Sequence, residues 1–370
     1  MMRWILTVLV CAVLAGRVAR AADTDEQQKI NTAVEALTRM ENVNLDEKPA
    51  VKAAVNRVLA KTRGTPNFVK LVQHFQLTNQ TAGLLEVVVN NSTDESGVEA
   101  MRLVLAGRDF AAIKDGLQTT NAVQLITALG NAKEKQVTPW LTPLVTDESR
   151  SLEVRRAAVR ALTQTQDGAA ALLALAKQDK LPENLKFLAA TELNSARWPE
   201  IKSEAAKVLP LPAGQNAQPL PPVSELVKLK GDAAKGADIF RRETVGCIKC
   251  HQVRGEGRDV GPALSEIGTK LPKEALYEAI LDPSAGISFG FEAWQVQLKS
   301  GDDAYGLKTS DTAEEIAIKD TNGLVTRYKR GEITSMQQMK ISIMPAGLQM
   351  TMTTQELVDL VEYLAGLKKQ

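Results

Sequence analysis

Cys247, Ile248, Lys249, Cys250 and His251 form a C-x-x-C-H run, the spacing that attaches c-type haem. Two thiols separated by two residues can bond the two vinyl groups of a porphyrin. The histidine that follows then falls under the iron as its proximal ligand. One short run thus encodes a covalent linkage and a metal ligand together. Few other donors compete for these roles. The chain has three Cys and two His. Cys11 lies in an apolar leader, and His74 lies far away in a helix-like segment at 70–75. A closed zinc site needs four nitrogen or sulfur ligands and would have to recruit His74. A thioredoxin-like C-x-x-C needs a βαβ context, which the flanks do not offer. The donor set therefore points to one covalently attached haem c, held by Cys247 and Cys250 with His251 on the iron.

A ligand on the opposite face of the iron would favour an electron carrier, and a thioether there raises the reduction potential. The candidates are Met336, Met339, Met344, Met350 and Met352. Methionine is ordinarily core filler. Met344 differs in being followed by Pro345, which stiffens its loop, and in standing shortly before the last helix.

These residues need a scaffold, and the flanking sequence predicts one. A helix is expected over 231–242, with Asp232 as its cap and with Gly236 and Phe240 four apart on one face. Another is expected over 273–281, ended by Asp282-Pro283. The pattern then changes to short strands at 291–298, 305–308, 315–319 and 325–328, with Asn322-Gly323 as a hairpin signal. A small β module at about 291–333 is therefore expected before the final helix. That helix opens on a capping box from Thr353 to Glu356 and carries Leu357, Leu360, Val361 and Leu364 as its apolar stripe.

Taken together, Gly236 with Phe240, the C-x-x-C-H run, Gly261-Pro262-Ala263-Leu264, Leu281-Asp282-Pro283-Ser284, Ile343-Met344-Pro345-Ala346-Gly347-Leu348 and the segment 356–364 resemble the planctomycete/verrucomicrobial-type haem-binding domain, a cytochrome c relative. The resemblance covers about 140 residues of the 370. It implies a class I cytochrome c-like helical fold. By the same resemblance the backbone of Pro262 supplies the carbonyl that accepts the other ring N–H of the proximal histidine, a usual partner for a metal-bound imidazole. It further favours Met344 as the sixth ligand, so that His251 and Met344 are the expected metal ligands. In that family the domain often follows a β-propeller with helical repeats. Here there is no room for a propeller, so a stand-alone carrier or a subunit serving another enzyme is expected.

The N-terminal half reads as helices. Val154, Ala157, Ala158 and Leu162 mark a face that Leu185, Leu188, Ala189 and Leu193 repeat 31 residues later. Residues 121–129 show the pattern earlier, and 97–106 show a weaker copy. A period of about 30–40 residues with paired helices predicts an α-solenoid of HEAT-like repeats, and residues 152–162 resemble a HEAT second helix. Such a surface can dock a partner, although a plain helical bundle would give the same pattern.

The expected organisation is a signal peptide over 1–21, repeats over 22–209, a Pro-rich linker over 210–222 and the haem domain over 223–370. Arg3, an apolar run to Gly16 and Ala19-Arg20-Ala21 make the signal. The run is shorter than the roughly 18 residues of a membrane span, and Arg17 and Arg20 leave an uncleaved anchor as the alternative. A periplasmic or secreted location without a span in the mature chain agrees with covalent haem. The net charge of +1 gives no case for nucleic acid or an anionic membrane as partner.

The overall expectation is a mainly α protein that passes single electrons to or from a redox protein, such as a periplasmic dehydrogenase, with no catalytic residues of its own. The alternatives are an open-iron sensor or peroxide-handling enzyme, and a repeat scaffold whose haem is structural. Lys249, Arg254, Arg258 and Lys270 could form a cationic rim or be ordinary surface charge.

Overall fold

The computed structural model describes residues 26–41, 43–210, 220–242 and 245–369. The expected signal peptide, and the linker apart from Pro210 and residues 220–222, lie outside the described residues. By packing, the chain divides into one unit of residues up to Leu144 plus Glu148–Ala161 and a second of Val145–Asp147 plus Leu162–Gln370.

The first unit is helical. Helix α1 covers 26–38. It is followed by α2 (Pro49–Thr62), α3 (Pro66–His74), α4 (Thr81–Asn90), α5 (Glu95–Ala106), α6 (Phe110–Gly116), α7 (Ala122–Ala132), α8 (Thr138–Thr146), which enters the second unit at its end, and α9 (Leu152–Leu162). Helices near in sequence pack on one another: α2 on α3, α3 on α4 and α4 on α5, while α5 reaches past α6 to α7. Small residues permit close approach. A Cβ at Gly130 would stand 2.6 Å from the Ala161 Cα, so α7 and α9 touch backbone to side chain there. Ala158 and Val159 on α9 are fully buried, while Val154 on the expected face is half-buried.

The second unit begins with α10 (Gln166–Lys177), α11 (Glu183–Asn194) and α12 (Pro199–Val208). These helices therefore group with the C-terminal part, not with α1–α9. Next come α13 (Val223–Leu226), α14 (Ala233–Arg241), α15 (Ile267–Lys270), α16 (Lys273–Leu281) and, last in the chain, α17 (Thr354–Gly366). Asp232 caps α14 as its sequence predicts, its carboxylate accepting from the Ala234 and Lys235 amides at 2.9 and 3.3 Å. Thr353 and Glu356 close a reciprocal capping box on α17.

Helices α14 and α17 cross in close contact. Gly236 makes this possible, because a Cβ there would lie 2.0 Å from the Asp359 carbonyl oxygen. One turn on, Phe240 meets the Tyr363 ring at 5.8 Å. Leu357, Leu360, Val361 and Leu364 are buried beneath the crossing with Ile239, Phe240, Leu276 and Tyr277. Each such apolar side chain contributes about 1.5–3 kcal/mol on burial.

Between α16 and α17 stands a five-stranded antiparallel sheet: β1 (Ala293–Leu298), β2 (Asp303–Asp311), β3 (Glu315–Lys319), β4 (Val325–Lys329) and β5 (Ile333–Gln338), in the order β4-β3-β2-β1-β5. The sheet has its own small core of Val296, Ala304, Ile316 and Ile318. It runs further than the sequence suggests. Strand β5 extends it to Gln338, and its exposed Thr334, Ser335, Gln337 and Gln338 hide the apolar alternation that marks the other strands. Arg197, just before α12, pairs with Asp303 and stacks over Tyr305 at 5.3 Å and Trp198 at 4.7 Å, which joins the last N-terminal helices to the sheet. Burial lowers the Arg197 pKa, and Asp303 offsets part of that effect. Among the described residues no helix is long and apolar enough to cross a membrane.

Candidate haem site

Helix α14 ends two turns of sequence before the C-x-x-C-H run. Gly246 takes φ of 81°, a left-handed conformation that costs glycine nothing. It turns the chain so that Cys247–Lys249 forms a single 3-10 turn. The amides of Cys250 and His251 both return to the Cys247 carbonyl, at 3.2 and 3.0 Å. Both cysteines are free thiols and half-buried. Burial pushes the Cys247 thiol up to about 11 and raises Cys250 in the same direction, so both stay protonated in an apolar setting.

The following loop folds back over the motif. Backbone bonds run from Arg258 N to Ile248 O, from Val260 and Gly261 N to Cys250 O, and from Leu264 N to Gln252 O, at 3.1, 2.9, 2.7 and 2.8 Å. They deliver the Pro262 carbonyl to within 2.8 Å of His251 Nδ1. A carbonyl only accepts, so Nδ1 carries the proton and Nε2 keeps its lone pair. Among the described residues nothing hydrogen-bonds Nε2. Burial lowers the His251 pKa, opposed by the bond to Pro262, which favours the neutral, ligand-competent ring. Gly261 stands close beside that ring, where a Cβ would lie 2.5 Å from Cε1.

The methionine candidates separate by environment. Met344 is half-buried and packs on the same core as Cys247, Ile248 and Leu264. Its amide donates to Ser342 Oγ at 3.1 Å, and the Ser342 amide donates to Ser284 Oγ at 3.1 Å, which ties the loop to the turn after α16. Met336 packs on the core of the sheet instead. Met339 follows β5 and donates its amide to Ala293. Met350 is 46% exposed, and Met352 is buried at the start of α17. His74 is exposed on α3, with Nε2 on the Met40 carbonyl at 2.9 Å.

The donor set suits haem better than a bare ion. Among the described residues no three His, Cys, Asp or Glu side chains group to hold a metal, so Cys247, Cys250 and His251 do not converge as zinc ligands would. Residues 233–317 match the cytochrome c family model. No curated protein matches the chain. The C-terminal part is thus a cytochrome c-like haem-binding domain. The matched span stops inside the sheet, yet α17, which lies beyond it, packs directly on α14 at the start of the match. The match therefore takes in β1, β2 and part of β3, and α17 packs on it from outside.

Local spacing does not reveal the contacts that join these pieces. Arg242 ends α14 and donates to Glu356 Oε1 in the α17 cap and to the Thr351 carbonyl. Arg258 is directed at the Asn322 carbonyl at 2.9 Å and Lys319 at Asp259. Of the four cations that could rim the haem, Arg258 is thus engaged with the sheet. The partners in these pairs lie 60 or more positions apart, so no periodic signal announces them.

Proposed function

We propose that this protein is a monohaem c-type cytochrome of the periplasm or cell exterior that transfers single electrons. Cys247 and Cys250 would hold the porphyrin through thioether bonds, His251 Nε2 and the Met344 sulfur would bind its iron, and the Pro262 carbonyl, accepting from His251 Nδ1, fixes the imidazole. When bound, the haem supplies the reversible one-electron change at iron. The chain holds it covalently, chooses its ligands and excludes water with the apolar core around Ile248 and Leu264. HEAT-like helices in the N-terminal half serve as the docking surface for a redox donor or acceptor, such as a periplasmic dehydrogenase.

One observation carries this reading. Among the described residues, the His251 ring is hydrogen-bonded at Nδ1 to a backbone carbonyl, which leaves Nε2 to act as a ligand beside two half-buried thiols.

The test is the optical spectrum of protein matured in a host that assembles c-type cytochromes. A low-spin ferric spectrum with the weak red methionine-to-iron band, lost in Met344→Ala, is expected. A high-spin spectrum without that band, together with ready carbon monoxide binding by the ferrous protein, would replace the carrier by a sensor or peroxide-handling enzyme. Retention of partner binding and cellular role by Cys247→Ser would favour the scaffold.

A further inference from the structure

We propose that the β3–β4 hairpin braces the histidine side of the haem, with Lys319 as a positioning residue that holds down the reduction potential. The inference rests on the haem reading above and goes beyond it by giving the inserted sheet a task.

The hairpin tip is stiff. Asp320 Oδ1 accepts from the amides of Asn322 and Leu324, both at 2.9 Å, while Asp320 N donates to Leu324 O at 2.9 Å and Gly323 N to Asp320 O at 3.0 Å. Asp320 and Leu324 are buried.

This tip grips the loop that carries Pro262 at three successive residues. Arg258 donates to the Asn322 carbonyl at 2.9 Å. Lys319 Nζ donates to the Asp259 carbonyl at 2.8 Å and to its Oδ2 at 3.0 Å. Gly323 sits against Val260, where even a Cβ would come within 3.3 Å of Cγ2. Gly261 and Pro262 follow at once. The Lys319 side chain is 20% exposed and its partner Asp259 74%, so the lysine is committed inward. From the other side, Asn322 Nδ2 donates to Gln164 Oε1 at 3.2 Å, which anchors the hairpin to the segment before α10.

A carbonyl held firmly on Nδ1–H raises the basicity of a ligating imidazole. Greater basicity stabilises ferric iron and lowers the potential. Loosening the brace must therefore raise the potential.

The experiment uses the haem-loaded full chain. Lys319→Met combined with Asp259→Asn removes the pair at constant net charge. We expect the redox equilibrium to shift about threefold toward the ferrous form, ~30 mV on the one-electron scale of 59 mV per tenfold. Faster deuterium exchange of the His251 Nδ1 proton in paramagnetic NMR should accompany the shift, and Lys319→Arg should restore the wild-type potential. An unchanged or lower potential in the double variant overturns the proposal.

Arg258→Gln gives an independent sign test should the double variant fail to mature. Loss of a cation alone favours ferric iron and lowers the potential, whereas a loosened Pro262 carbonyl raises it. A fall in Arg258→Gln overturns the brace. Lys308→Met is the control, because Lys308 lies on the same sheet but faces Asp311 and the Trp294 ring, and no rise is expected there. A wild-type protein lacking a thioether-haem spectrum would instead defeat the underlying reading, a result separate from any shift among the variants.

Discussion

The segment 247–264 closes on itself: Ile248 meets Arg258, Cys250 meets Gly261, and His251 meets Pro262, all through hydrogen bonds to backbone carbonyls. The Met344 loop reaches the same core only after the chain has built a five-stranded sheet. It is positioned by remote contacts, through Ser284 at the end of α16 and through α17 crossing α14. One side of the candidate site is thus specified by spacing within a short stretch, and the other by tertiary packing. If His251 and Met344 bind one iron as proposed, the two ligands should differ in how easily they are lost, with the methionine side released first when packing loosens.

The largest effect should come from the thiols. Replacing both Cys247 and Cys250 by serine is expected to abolish covalent haem, read as complete loss of haem staining on a denaturing gel. Either single variant should retain one thioether and a shifted ferrous absorption band. Full staining in the double variant would mean that haem is attached elsewhere, and the local side of the comparison would collapse.

Next in size is Gly236→Leu. The added side chain would meet the Asp359 carbonyl, and its first atom already stands at 2.0 Å. Backbone cannot rotate away as a side chain can, so a loss of about 3 kcal/mol or more is expected. The informative readout is the order of loss. Upon mild denaturation the methionine-to-iron band should vanish while the haem stays attached and His-ligated. Simultaneous loss of both ligands would show that the two sides form one cooperative unit.

How far the sequence foretells this arrangement follows the same division. The haem run, the Asp232 cap, the Thr353–Glu356 box and the stripe Leu357, Leu360, Val361, Leu364 are legible because their signals act within one or two turns. The Asn322-Gly323 hairpin is legible because a left-handed residue, Gly323 at φ 80°, is required between two alternating strands. Strand β5 is not, since an edge strand with one face in water and short polar residues has no apolar alternation to display. The contacts of Lys319 with Asp259 and of Arg242 with Glu356 escape for a different reason. Each links elements whose proximity exists only after folding, and a lone Lys or Arg in sequence looks like surface charge. The same limit applies to α10–α12: their repeat pattern continues that of α9, but their packing partners include the sheet through Arg197 and Asp303.

The smallest effect tests the methionine side most finely. Glu356 caps α17 and accepts from Arg242, and that guanidinium, helped by the Thr353 amide, holds its carboxyl below the usual carboxylate range despite partial burial. In the unfolded chain the group has an ordinary pKa of about 4.3. Between that value and the lower folded one, the unfolded state binds more protons, so stability rises with pH through this window. The contribution is fully present above about pH 5 and is lost as pH falls through the folded pKa. Gln keeps the acceptor for the Thr353 amide but loses the ion pair with Arg242, so Glu356→Gln should cost up to about 1 kcal/mol near neutrality and should flatten the acid limb of the stability profile. Because the cap begins the helix that follows Met344, the methionine band should fade with acid in the wild type before haem attachment is disturbed. In Glu356→Gln that fading should depend less on pH. An equally steep fade in both proteins would assign the acid sensitivity to another carboxylate and remove the α17 cap from the control of the methionine side.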